Sequence, residues 1–368
     1  MEQPRTHEAG AGRAETPKKK AAKKSAPKAV GKTGKPVRHE GKSKKSDKAR
    51  RRRGKRIRRI VGRALLYIFT VLVMLVLGLY AILNVVFNGP SQTAGDRLTL
   101  TLLETSALKF VPGLYYTDEE IAAVKERNKV VELEQETDTS LIVFSTPDDG
   151  EEVGPVGSLE EERDIVVEEI GGATYHGWMM IVRDPSRVFV GVCNDHFSED
   201  RPGLKLPALV KKYDAIAGIN GGAFSDPSGQ GNGGVPIGPT FSEGRATNAY
   251  GGGDLTVAGF DENNVLIVGK MSKDQCKQRG IRDSVAFGPA LVVNGEPAQF
   301  SGVSSGLNPR SAIGQRSDGA VLMLVIDGRQ VNSPGASMAD LVEIMVRYGA
   351  VNACNLDGGR IPTAFLVR

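Results

Sequence analysis

Apolar residues fall along this chain in three regimes, and each predicts a different kind of structure. Residues 1–56 are Lys, Ala, Gly, Pro and Ser with almost no large apolar side chain. Such a stretch cannot bury enough surface to offset the entropy of ordering, so it is expected to be disordered. From Ala64 to Phe87 the chain reads ALLYIFTVLVMLVLGLYAILNVVF, 24 residues without a charge. At about 1.5 Å of rise per residue, a helix of this length crosses a hydrocarbon core about 30 Å thick. A core helix of a soluble domain would carry a polar stripe, and this segment has none. The third regime begins near Ile165. Its short apolar runs (GWMMIVRD, RVFVGVC, DAIAGIN, DLTVAGF, VLIVGK, PALVVNG, VLMLVIDG) are broken by Gly and turn dipeptides, the pattern of strands.

Two helices are expected within this third regime, over Pro207–Tyr213 and Ser337–Tyr348. The second has Ser337 as N-cap and Asp340 three residues on. Leu341, Ile344, Met345 and Tyr348 follow helical spacing, and Gly349 lies just past the end. About 200 residues so patterned predict an α+β domain, a mixed sheet with few helices. Between the apolar segment and this domain, Thr117 and Glu120 form a capping-box pattern that predicts a short helix from Asp118. Residues 132–164 are acidic and poor in apolar side chains, the composition of a linker. The expected organisation is a disordered basic tail (1–56), a transmembrane signal anchor (57–88, spanning 64–87), a stalk and acidic linker (89–164), and a folded domain (165–368).

Charge sharpens this picture. Residues 1–63 hold 24 of the 48 Lys and Arg but only 5 of the 43 Asp and Glu, so one end is strongly basic and the remainder acidic. The basic cluster abuts one side of the apolar segment, which by the positive-inside rule puts the N-terminus in the cytoplasm and the domain outside the cell. The basic region and apolar core are both too long for a cleaved signal peptide. The lysine tract also resembles a nucleic-acid tail, but no folded nucleic-acid module or interleaved aromatics accompany it. Membrane topology and attraction to anionic lipid explain it more simply, with residues 64–87 in contact with lipid.

Cys193, Cys276 and Cys354 stand in unrelated contexts and read as buried small apolar residues. No zinc-site spacing is present. Gly229 to Gly234 formally satisfies a dinucleotide-loop pattern, but Pro236 and Pro239 forbid the helix such a site needs, so 225–240 reads as an irregular loop. Asp254 and Glu243 are the acidic residues placed to ligate a divalent cation, without a defined coordination set. No cofactor is otherwise called for.

Polar and charged residues at four strand ends carry the candidate chemistry. Asn220-Gly221-Gly222 follows one apolar run, and Asn308-Pro309-Arg310 precedes another. Asp327 ends LMLVID, and Asn355-Leu356-Asp357-Gly358-Gly359 ends a fourth. An Asn offers a donor and an acceptor, an Arg suits a phosphate, and a carboxylate suits acid–base work or a metal. Taken singly, each is more often a turn or packing residue. Four such ends in one domain lean toward a single polar site.

The strings INGGAF (219–224), GNGG with Pro236, FGPALVVNGE (287–296), NPRSAIGQ (308–315), VIDGRQ (325–330) and NLDGG (355–359) resemble, in order, those of the phosphodiester glycosidase family. The resemblance covers about 165–368 and implies hydrolysis of a sugar-1-phosphodiester. Bacterial relatives share the tail, span and external domain, and are associated with the cell envelope and exopolysaccharide. Carried across, the family's site corresponds to Asn220, Gly221, Gly222, Arg310, Asp327, Asp357, Gly358 and Gly359. Asp327 and Asp357 are the implied catalytic carboxylates, and the others the implied substrate contacts. One departure stands out. Relatives follow this last motif with Ser residues, a strand and a loop before an ending like RIPTAFLV, whereas here Gly359 runs straight into Arg360. Weakened activity is the expectation. The alternative is a non-catalytic domain that binds a glycan or envelope polymer.

Overall fold

The computed structural model describes residues 41–105, 107–131, 133–144, 164–226, 233–247, 251, 255–357 and 363–368. Helix α1, Gly41–Asn88, contains the apolar segment. It begins well ahead of the expected boundary at 57, because the Lys, Arg and Ala that fill 41–56 are good helix formers. Its stretch Arg50–Asn88 is long and apolar enough to cross a membrane. The chain divides into two compact units, Met1–Val73 and Met74–Arg368.

The second unit is α+β, and every strand pairing described in it is antiparallel. The strands used below are β1 (Ile165–Gly171), β2 (His176–Val182), β3 (Val188–Val192), β4 (Ala217–Asn220), β5 (Thr256–Asp261), β6 (Leu266–Lys270), β7 (Ile281–Phe287), β8 (Ala290–Val293), β9 (Arg310–Arg316), β10 (Val321–Ile326), β11 (Ala350–Leu356) and β12 (Thr363–Val367). A seven-stranded sheet runs from the two-residue edge Glu296–Pro297 through β8, β11, β9, β10 and β2 to β1. A three-stranded sheet has the order β3, β12, β4, and a five-stranded sheet starts β6, β5, β7.

Alternation along β10 explains how the layers stack. Leu322, Leu324 and Ile326 pack with Leu341, Ile344 and Met345 of α6 (Met338–Arg347), which follows α4 (Leu206–Lys212) and α5 (Lys273–Gln278) along the chain, on one face. Val321 and Met323 face the other way, into a core shared with Phe365 and Leu366 of β12 and Phe260 of β5. Apolar residues on both faces make β10 a central strand, which is why its sequence is a continuous apolar run. Each such side chain contributes on the order of 1.5–3 kcal/mol by burial. Helix α6 starts as its sequence predicts: the Ser337 hydroxyl accepts from the Asp340 N–H, and Asp340 accepts in return from the Ser337 N–H.

Residues 92–144 lie against this body. Ser91 caps α2 (Gln92–Leu103), and Thr117 with Glu120 caps α3 (Asp118–Arg127) through the capping box read from sequence. Leu100 of α2, Val124 of α3 and Val303 form a small core of their own. Gly306 passes so close to α2 that a Cβ there would stand 2.3 Å from the Thr101 nitrogen. The Thr137 hydroxyl accepts from the Val268 N–H and donates to the Val268 carbonyl, both at 2.9 Å, so part of the acidic segment extends the edge of β6. The three cysteines are buried, as their contexts predict.

Candidate functional site

The antiparallel registers bring the motif ends to one end of the seven-stranded sheet. Arg310 opens β9 and pairs with Ile326, the last residue of β10. Ser311 pairs with Leu356, the last residue of β11. Asp327 and Asp357 therefore leave the sheet on either side of the residue that enters at Arg310. From the three-stranded sheet, Asn220 ends β4 opposite Ala364. The Asp357 N–H then donates to the Gly221 carbonyl at 3.0 Å and joins the two sheets at this point.

Glycine is required at Gly221 and Gly222 because the backbone there is crowded. A Cβ on Gly221 would lie 2.6 Å from Thr363 Oγ1 and 2.7 Å from the Thr363 carbonyl oxygen. On Gly222 it would lie 2.8 Å from the Ala286 carbonyl oxygen. The Gly222 N–H donates to Thr363 Oγ1 at 3.2 Å, and the Ala223 N–H to the Ala286 carbonyl at 2.7 Å. The strand-end Asn-Gly-Gly is thus a junction among β4, β7 and β12. Gly358 and Gly359 lie outside the described residues.

Asp327 continues the ladder beyond β10, since its N–H donates to the His176 carbonyl at 2.9 Å. Ile326 pairs with Gly177, so Asp327 and His176 form the next cross-strand pair, with side chains on one face and Cβ atoms about 5 Å apart. Ser333 locks this pair: its hydroxyl accepts from the His176 N–H at 3.0 Å and donates to the Asp327 carbonyl at 3.1 Å. Asp327 is half-buried and His176 exposed, so the face they share is open to solvent. No neighbouring motif in the sequence marks out His176; the pairing register does.

Arg310 leaves the sheet on the opposite face, with Ile326 and toward α6. Its guanidinium donates to the Ala336 carbonyl at 3.3 Å, to the Ser305 hydroxyl at 3.2 Å and to the Gly306 carbonyl at 3.2 Å. It also forms an ion pair of 2.9 Å with Glu104, just past the end of α2. The Arg310 side chain is 9% exposed and that of Glu104 36%. Burial pushes the Arg310 guanidinium down from its usual range, against the pull of the Glu104 charge. Buried Asn308 donates to the same Glu104 carboxylate at 2.9 Å, and Arg329 donates to the Glu104 carbonyl at 3.2 Å. In this arrangement Glu104 neutralises the arginine that a phosphate would need. Nothing in the local sequence around Glu104 signals this, because the contact spans 206 positions of chain.

Asn355 is fully buried two residues before Asp357. Its Nδ2 donates to the Gly288 carbonyl at 2.9 Å, while its Oδ1 has no partner among the described residues. Of the two residues proposed for a cation, Glu243 pairs with Arg368 in a turn at positive φ, and Asp254 lies outside the described residues. Among the described residues no three His, Cys, Asp or Glu side chains cluster as a metal would require.

The resemblance read from the sequence is borne out by comparison with known proteins. The family model described as phosphodiester glycosidase matches residues 213–366. The chain is 30% identical over 187 residues to the SPbeta prophage-derived uncharacterized protein YomE of Bacillus subtilis (strain 168). That match covers 48% of this chain but only 27% of YomE, so the chain spans about a quarter of that relative's length. Among solved structures, the chain is similar to the catalytic domain of zebrafish N-acetylglucosamine-1-phosphodiester alpha-N-acetylglucosaminidase auto-inhibited by its pro-peptide. There the TM-score is 0.45 and the identity 18%, over 55% of this chain and 82% of the other. A putative exported protein from Burkholderia pseudomallei K96243 gives a TM-score of 0.36 at 15% identity, over 53% of this chain and 74% of that one.

Proposed function

We propose that this protein is a membrane-anchored, extracytoplasmic glycosidase that hydrolyses a sugar-1-phosphodiester of the cell envelope or an exopolysaccharide. What supports the reading is that Asp327 and Asp357 leave the seven-stranded sheet at the same end, and that the Asp357 N–H donates to the Gly221 carbonyl next to Asn220. In the reaction, water adds to the anomeric carbon as the bond from that carbon to the bridging oxygen breaks. The sugar leaves as a free hemiacetal and the other product is a phosphomonoester. Positive charge develops on the sugar ring, and Asp327 or Asp357 is the carboxylate that stabilises it or moves the proton. His176, beside Asp327, is placed to share that proton. Residues 64–87 act as the anchor, with the basic N-terminus in the cytoplasm.

One feature favours a second reading, a non-catalytic domain that binds a glycan or envelope polymer. Arg310 is neutralised by Glu104, and only residues 358–362 connect Asp357 to β12. That short connection replaces the Ser-containing segment expected of relatives, so turnover is proposed to be weak.

The test is phosphorus NMR on full-length protein in nanodiscs, supplied with a set of sugar-1-(methyl phosphate) diesters. Conversion of diester to monoester that is lost in both Asp327→Asn and Asp357→Asn supports the enzyme. Binding of the diesters without any conversion in the parent protein supports the second reading.

A further inference from the structure

The segment between α2 and α3 folds back along the end of the apolar helix and leaves a set of large apolar side chains uncovered. The Tyr115 ring stacks on Phe87 at 4.5 Å and on Tyr80 at 5.9 Å between centroids. Tyr116 packs edge-on against Phe87 at 5.3 Å, and its hydroxyl donates to the Phe87 carbonyl at 2.6 Å. Around these anchors Leu108 is 44% exposed, Phe110 62% and Leu114 69%. From Ala107 to Tyr116 the only charge is Lys109.

We infer that Leu108, Phe110 and Leu114 form a foot immersed in the outer leaflet at the boundary between headgroups and acyl chains. The inference rests on the proposed span over 64–87. Tyr80 lies seven residues before Phe87, roughly 10 Å down the helix axis. A ring held against both Tyr80 and Phe87 therefore lies at interfacial depth, about 5–10 Å below the surface. The backbone suits that depth because five of its donors are bonded within the segment itself. The N–H groups of Leu108, Val111, Leu114, Tyr115 and Tyr116 donate to the carbonyls of Thr105, Leu108, Val111, Pro112 and Pro112, at 2.9–3.0 Å. Tyrosines at one end of a span with a lysine beside them are the composition of a membrane interface. Water at this place would instead face three uncovered large apolar side chains on one short loop. The lipid partner also gives the external domain a fixed seat, since α3 begins at Asp118, directly after the foot.

The chain has a single tryptophan, Trp178, which permits a direct test. Full-length protein carrying Trp178→Phe and Phe110→Trp is reconstituted in vesicles of lipids brominated at chosen acyl positions. Leu114→Trp supplies a second probe of the foot, and Met74→Trp reports the span. The expected result is a blue-shifted Phe110→Trp emission that loses most of its intensity to bromines near the headgroup end of the chain. Parent Trp178 should stay unquenched. Quenching of Met74→Trp with neither foot probe quenched overturns the foot while leaving the anchor in place. No quenching of Met74→Trp removes the span, and the foot with it.

Discussion

Glu104 and Arg310 form an ion pair of 2.9 Å between a segment that follows the long apolar helix and the first residue of a central strand. Because Arg310 is buried, removal of its counter-charge leaves a cation that water solvates poorly. The loss for a fully buried pair is about 3–5 kcal/mol, and the partial exposure of Glu104 reduces this. Glu104→Gln is expected to lower unfolding stability by about 1–3 kcal/mol in urea titrations. The same variant exposes an unneutralised arginine site, so inorganic phosphate should raise its melting temperature more than that of the parent. Equal shifts in the two proteins would show that Arg310 is not accessible to phosphate.

His176 and Asp327 face each other across β2 and β10, and the reaction proposed here uses that pairing. His176→Ala should lower kcat for diester hydrolysis by about 100-fold or more, the usual scale of a lost proton-transfer group. Its melting temperature should hold, since the side chain is exposed. A variant with full kcat assigns the proton to the carboxylates alone.

Asp96 on α2 ties that helix to α3, which gives the second unit an acid-sensitive joint. Burial raises its pKa, but hydrogen bonds from Arg127 and Asn128 and the Arg127 charge outweigh burial and hold the carboxyl below its ordinary value. Asn128 Nδ2 donates to it at 2.8 Å. A depressed folded pKa means that the stabilisation is present above the unfolded value of about 3.9 and is lost as the pH falls through the folded value. Asp96→Asn should therefore be less stable than the parent at pH 7, with the difference shrinking below about pH 4. A constant difference from pH 7 to 3 would contradict the linkage.

Gly221→Ala should cost about 1–3 kcal/mol through overpacking against Thr363, because the facing atoms are backbone and a short side chain that cannot yield. Denaturant midpoints measure this. Turnover should fall as well, since the Gly221 carbonyl is the point that holds the Asp357 backbone.

Much of the architecture was legible because local rules and tertiary packing agree. The capping boxes at Thr117 and Ser337 act within four residues, so sequence alone locates both helices. The unbroken apolar run of β10 requires a strand covered on both faces, and β10 lies between β9 and β2 in the seven-stranded sheet. The motif ends were legible as a list but not as a geometry. Which face each side chain takes depends on register: Asp327 shares a face with His176, while Arg310 turns toward α6. The role of Glu104 could not be read at all, because it comes from pairing an ordinary acidic residue with a partner far along the chain. Residues 41–56 show the opposite case, where low apolar content suggested disorder but helix propensity prevails next to a long helix.

The contact of Thr101 with Gly306 sets a practical limit on dissection. A recombinant fragment that starts at Ile165 would uncover Val303 and strip Arg310 of the carboxylate of Glu104, so it should be expressed poorly or aggregate. Versions without the apolar helix should start at Ser91 and keep both small helices, which makes the portion that follows that helix an inseparable part of the folding unit.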